Sequence, residues 1–270
     1  MTLKEYLKSI DSYFKNNERE YEAIKLLLIE KYYHSVANFY LSMDEEINEE
    51  LIFDCNKYLN DFIPVQYILG YQYFYNLKIG VNNNVLIPRY DTEVLVEKAI
   101  EYIKKYNYKK VLDICTGSGA IALAIKKNTE CDVVGSDISK EALEVAIKNS
   151  NDLNMDVRFI QSDILENIEY DCDLIVSNPP YISYNEHVDE LVLKNEPHLA
   201  LFADNEGLVF YERILKESKE KNKNLKMIIF EIGYMQAKSL KALQEKYYLL
   251  GVFEVIKDYS GKDRVVIIKL

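Results

Sequence analysis

The chain has 270 residues, with 33 Lys and Arg against 44 Asp and Glu, a formal net charge of −11. Hydrophobic residues make up 49% and charged residues 29%, which excludes a disordered chain. The acidic balance argues against stable, sequence-independent nucleic-acid binding, because phosphate repels such a surface unless a local basic patch exists. No apolar run approaches the roughly 18 residues of a membrane span, and the N-terminal MTLKEYLKSIDSYF has no signal-peptide apolar region. Cys55, Cys115, Cys131 and Cys172 form neither a CxxC pair nor a zinc spacing, so free thiols in a cytoplasmic protein with no metal site are expected.

Residues 1–60 contain neither Gly nor Pro and read as four amphipathic helices, at 2–13, 19–32, 34–41 and 45–60. In the second, Tyr21, Ile24, Leu27, Leu28 and Tyr32 form one apolar face. A small helical domain over 1–68 follows, either a stabilising cap or a surface that grips a macromolecular substrate. Pro64 and Gly70 mark its end. The alternation in 71–81 predicts a strand that pairs with Val85–Ile87 across the NNN turn, a β-hairpin linker over 69–90. Asp91 or Thr92 is then expected to N-cap a helix to about Tyr106.

A third part, 91–270, alternates strand and helix. Apolar runs at 111–115, 131–137, 157–162, 173–178 and 225–232 are separated by helical stretches at 120–128, 140–153, 206–220 and 234–246. That order predicts a parallel sheet covered on both faces. VFEVIKD and RVVIIKL, separated by a turn with Gly261, predict a C-terminal antiparallel hairpin.

The chemistry gathers at the strand ends. The first strand of this part runs through Asp113 into Cys115, Thr116, Gly117, Ser118 and Gly119, and a helix opens at once. Such a loop admits close ligand approach and aims helix N-terminal amides at it. The second strand ends at Asp137, a carboxylate suited to ribose hydroxyls. The third ends at Asp163. A Gly-rich loop by itself is often only a tight turn; with two carboxylates at successive strand ends it points to a ribose-bearing cofactor. The fourth strand ends Asn178-Pro179-Pro180-Tyr181. The prolines enforce an extended backbone. The Asn178 side-chain oxygen and the Pro179 carbonyl are adjacent acceptors that suit a planar NH2 group, and Tyr181 supplies a flat face.

This set resembles class I methyltransferases that use S-adenosylmethionine and methylate amide or exocyclic nitrogens. PVQYILG (64–70), VLIPRYDTE (85–93), DICTGSGAIALA (113–124), SNPPYI (177–182), NEPHLAL (195–201), EIGYMQ (231–236) and DYSGKDRV (258–265) are similar to the release-factor protein-(glutamine) methyltransferases, the HemK/PrmC family. The resemblance implies an α/β Rossmann-like fold with a mostly parallel seven-stranded sheet, preceded by a small all-helical domain. It implies methylation of the glutamine in the Gly-Gly-Gln motif of class 1 peptide chain release factors, with S-adenosylhomocysteine as product. Asn178, Pro179, Pro180 and Tyr181 are the expected substrate and catalytic residues. Cys115, Thr116, Gly117, Ser118 and Gly119 are expected around the methionine part of the cofactor, Asp137 at the ribose, and Asp163 and Ile164 at the adenine, with Asn178 bordering the same site. Asp113 is expected to hold the loop through backbone hydrogen bonds, Arg89 to pair with Asp91 or Glu93, and Glu196 to orient the loop after the tetrapeptide. His187 and His198 are expected on solvated loops. Two departures stand out: Cys115 replaces the usual first loop glycine, and Tyr90 replaces a proline. An rRNA guanine methyltransferase shares the tetrapeptide, and an inactive binding module shares the fold.

Overall fold

The computed structural model describes residues 1–16 and 20–270 and divides them into two compact units. The first comprises Met1–Tyr71 together with Val188–Asn195. Its helices are α1 (Leu3–Asn16), α2 (Tyr21–Leu28), α3 (Val36–Leu41), α4 (Glu49–Leu59) and α5 (Val65–Leu69), and a short helix over Glu190–Asn195 joins them. The start expected at 19 lies outside the described residues. Ile24, Leu27 and Leu28 are fully buried with Leu3, Phe39, Leu51 and Cys55, as the amphipathic pattern requires. Boundaries move where caps decide them. His34 takes a left-handed φ of 58° and ends the second helix, Ser35 accepts the Asn38 amide to start α3, and Asn48 accepts the Leu51 amide to start α4. Sequence periodicity starts the third and fourth helices ahead of these caps, at 34 and 45.

The second unit comprises Gln72–His187 and Glu196–Leu270. Its opening hairpin differs from expectation. β1 (Tyr71–Phe74) pairs with β2 (Leu77–Gly80), and Val85–Ile87 forms no strand. The chain reverses earlier because Tyr75 and Asn76 both take positive φ, 47° and 58°, as tight hairpin turns require. The sheet runs β3 (Lys110–Ile114), β4 (Asp132–Asp137), β5 (Arg158–Gln161), β6 (Leu174–Ser177), β7 (Met227–Glu231), β8 (Val252–Lys257) and β9 (Asp263–Lys269), in the spatial order β5-β4-β3-β6-β7-β9-β8. β5 through β7 are parallel, and β9 pairs antiparallel with both β7 and β8. Val111, Leu112, Val134, Ile175, Ile228 and Ile229 are all buried, so the central strands are covered on both faces by helices including α6 (Glu93–Tyr106), α7 (Ala120–Asn128) and α8 (Lys140–Asp152). This is the expected seven-stranded α/β fold.

The order fixes where a ligand can bind. From β3 the chain proceeds outward through β4 to β5, then returns to the other side of β3 as β6. The reversal leaves a crevice at the carboxyl ends of β3, β4 and β6. Gly135 on β4 is needed beneath it, since a Cβ there would press into the Phe159 ring and the Thr116 hydroxyl.

Candidate functional site

A cavity of about 250 Å³ opens at that crevice, entirely within the second unit. Cys115, Thr116, Gly117, Ser118, Asp137, Asp163, Ile164, Asn178 and Pro180 line it. Gly119, Pro179 and Tyr181 do not. Gly119 serves instead as the N-cap of α7 in a left-handed conformation.

The loop is held from below. Asp113 is fully buried, and its Oδ2 accepts the Thr116 hydroxyl at 2.5 Å and the Ala122 amide at 3.2 Å. Burial pushes its pKa up to about 7. It holds the loop and does not line the cavity. Asp137 accepts the Gly117 amide at 2.9 Å through Oδ2 and the Ser139 amide at 3.0 Å through Oδ1. Burial raises its pKa as well. Each oxygen takes one of these backbone donors, which leaves lone pairs for two ligand hydroxyls. Cys115 stands at φ 60°, a conformation costly for any side-chain-bearing residue. Burial drives its thiol pKa well up, so it stays a neutral wall of the cavity. Ile164, buried at φ 52°, is a second left-handed position on the rim.

Across β3, Asn178 Nδ2 donates to the Thr92 hydroxyl at 3.5 Å. With the amide nitrogen so engaged, the Oδ1 end remains an acceptor beside the Pro179 carbonyl. The Asp137 carboxylate thus lies on one side of β3 and the Asn178 amide on the other.

The sequence pattern of the methyltransferase small domain matches residues 91–200. The chain is 40% identical over 233 residues to the release factor glutamine methyltransferase of Lactococcus lactis, covering 84% of this chain and 86% of that one. It is 38% identical over 278 residues to the release factor glutamine methyltransferase of Bacillus subtilis, covering 98% and 96%. The chain belongs to the release factor glutamine methyltransferase family. It is therefore an enzyme, a protein-glutamine N-methyltransferase. A solved methyltransferase from Pyrococcus furiosus, 22% identical, matches with a TM-score of 0.52 over 72% of this chain and 88% of that one, a likeness of fold alone.

Several residues of this methyltransferase depart from their expected roles. Arg89 pairs with neither Asp91 nor Glu93. It donates to Glu196 Oε1 at 2.5 Å, while Asp91 pairs with Arg264 at 3.1 Å and Glu93 accepts the Tyr75 amide at 2.8 Å. Glu196 also accepts the Ile87 amide at 3.0 Å, so it holds the 85–89 wall of the cavity. Partners far apart in sequence outcompeted the near ones, which spacing cannot foresee. Thr92 stands at the N-cap of α6 but makes no capping bond; its hydroxyl receives Asn178 instead. His187 and His198 are exposed.

Other contributors carried no sequence signal of their own. Asn149 on α8 donates to the Ser118 carbonyl at 2.9 Å and brackets Gly80, tying the loop to the hairpin. Arg213 donates to Asp163 at 2.7 Å. Glu231 and Gln236 bond the hydroxyl and carbonyl of Tyr181. The last two lie inside EIGYMQ, where the resemblance marked a segment without giving it a role.

Proposed function

We propose that the protein transfers a methyl group from S-adenosylmethionine to the side-chain amide of the glutamine in the Gly-Gly-Gln motif of class 1 peptide chain release factors. The observation that carries this reading is Asn178: its Nδ2 is engaged by Thr92, which leaves Oδ1 as an acceptor beside the cavity bordered by Gly117 and Asp137. The donor set fits the cofactor. Asp137 has acceptor capacity for two ribose hydroxyls, the loop from Cys115 to Ser118 would border the methionine part, and Asp163 and Ile164 would border the adenine.

When bound, S-adenosylmethionine supplies a methyl already activated on a sulfonium. Asn178 Oδ1 and the Pro179 carbonyl accept the two N–H bonds of the glutamine amide. Its nitrogen lone pair is delocalised into the carbonyl, so the site must align it and stabilise the positive charge that develops there. Tyr181 does not line the cavity but follows Pro180, which does, and is partly exposed, so its ring is available to the amide plane of a bound glutamine. One N–C bond forms as one S–C bond breaks, and an amide proton leaves to solvent without a dedicated base. The family relatives named for this reaction span nearly the whole chain, which supports the same acceptor here.

Intact-mass analysis of a purified release factor incubated with the enzyme and S-adenosylmethionine tests the reading. A single added methyl is expected on the wild-type factor and none on a factor lacking the motif glutamine. No methyl on either, with cofactor binding intact, would refute the acceptor and direct the search to ribosomal RNA.

A further inference from the structure

We propose that Glu231, assisted by Gln236, is a positioning residue that fixes Tyr181 for the substrate amide. The proposal rests on the reading of Tyr181 as the surface against which the glutamine packs. One short segment, the end of β7 and the loop after it, grips Tyr181 at both ends. The hydroxyl donates to Glu231 Oε1 at 3.3 Å, and the backbone carbonyl accepts from Gln236 Nε2 at 3.0 Å. Gln236 is itself held: its Oε1 accepts the Gly233 amide at 2.9 Å, and its Nε2 also reaches the Glu206 carbonyl at 3.2 Å. Gly207 closes the remaining side. A Cβ there would collide with the Tyr181 carbonyl oxygen, and its φ of 80° suits glycine. Tyr181 is thus fixed through backbone and hydroxyl together.

A stabilising role alone does not account for Glu231. It is 2% exposed at the end of β7, where Met227 through Phe230 are all buried apolar residues. The nearby cation, Arg264, is already engaged by Asp91 at 3.1 Å and Asp258 at 3.2 Å. Glu231 Oε2 has no hydrogen bond of ordinary geometry among the described residues, although the Thr92 hydroxyl lies near enough to draw the carboxyl's pKa down against its burial. The side-chain oxygen that does make a hydrogen bond of ordinary geometry is the one that holds Tyr181. The Glu231 backbone carbonyl, bonded by the Tyr211 hydroxyl at 2.8 Å, needs no acidic side chain.

The test is a double-mutant cycle in the methylation of a release factor, with Glu231→Ala, Tyr181→Phe and the double variant, beside Glu231→Gln. Glu231→Ala is expected to lower kcat about ten- to a hundred-fold, the worth of one hydrogen bond to a charged group. Calorimetry should show unchanged S-adenosylmethionine affinity. Glu231→Gln keeps an acceptor for the hydroxyl and should recover most of the loss. In the Tyr181→Phe background Glu231→Ala should cost distinctly less than in the wild type, because the two losses share one hydrogen bond. Additive losses would overturn the proposal, as would a matching loss of cofactor affinity. If the wild-type enzyme leaves the factor unmethylated, the substrate reading falls by itself. The grip is then read from the same cycle in thermal unfolding, where coupling supports it and additivity refutes it.

Discussion

Asp137 ends β4 and Asn178 follows β6, the two strands that flank β3, and in the reaction proposed above that separation divides their work. Asp137 sits on the loop side, joined to the Gly117 and Ser139 amides, whereas the Asn178 side chain donates to Thr92. Asn178→Ala should lower single-turnover rate by about 10²–10³-fold, the usual cost of one lost electrostatic stabiliser, with cofactor affinity kept in calorimetry. Asp137→Ala should weaken cofactor affinity by about 1.5–3 kcal/mol. Equal loss of cofactor binding in both would contradict the division. Cys115 is governed by backbone instead. At φ 60° a small side chain is tolerated at a cost, and a β-branched one is a genuine outlier. Cys115→Val should destabilise by about 1–2 kcal/mol beyond Cys115 itself, read by denaturant unfolding, while Cys115→Gly should equal or exceed the parent.

Among elements, the segment 85–89 shows what holds a cavity wall that is neither strand nor helix. Its anchors are the Ile87 amide and the Arg89 guanidinium, both bonded to the buried carboxyl of Glu196. Glu196→Ala should cost about 1–3 kcal/mol, because it orphans a buried amide. Since Arg89 and Pro88 line the cavity, cofactor affinity should fall with it; thermal unfolding and calorimetry on one preparation separate the two effects. This pairing also marks the limit of legibility. The strands and α7 could be read because burial imposes a periodicity on the sequence itself. The loop, Asp137 and the Asn178 turn could be read because glycine and proline restrict the backbone locally. The hairpin was misplaced because Tyr75 and Asn76 form a left-handed turn without glycine. Asn149 and Glu231 stayed hidden, and Thr92 and Glu196 were singled out with the wrong partners, because each acts across the fold on a residue distant in sequence.

At the scale of the whole molecule, two sets of carboxylates pull the pH dependence of stability in opposite directions. Burial raises the pKa of Asp113 to about 7 and of Glu231 to about 6. Burial also pushes Asp54 and Asp173 up, but hydrogen bonds outweigh it, from Lys31 and Lys57 to Asp54 and from Lys226 to Asp173, and both end lowered. For the lowered pair, the native state holds fewer protons than the unfolded chain, so their stabilisation is present above an ordinary pKa of about 4 and is lost as pH falls through the lowered value. For Asp113 the sign reverses. Native Asp113 keeps its proton to about pH 7, whereas the unfolded chain releases it near 4. Its contribution is therefore complete below about pH 4 and lost as pH rises to 7. Asp113→Asn removes this titration, while the variant's amide oxygen, set where Oδ2 lies, can still accept the Thr116 hydroxyl and the Ala122 amide. The variant should thus gain on the wild type as pH is raised from about 4 to 7, and the gain should level off above that, in a thermal-unfolding series. Parallel profiles would show that Asp113 is ionised throughout, and the loop would then rest on a buried charge instead of a buried acid.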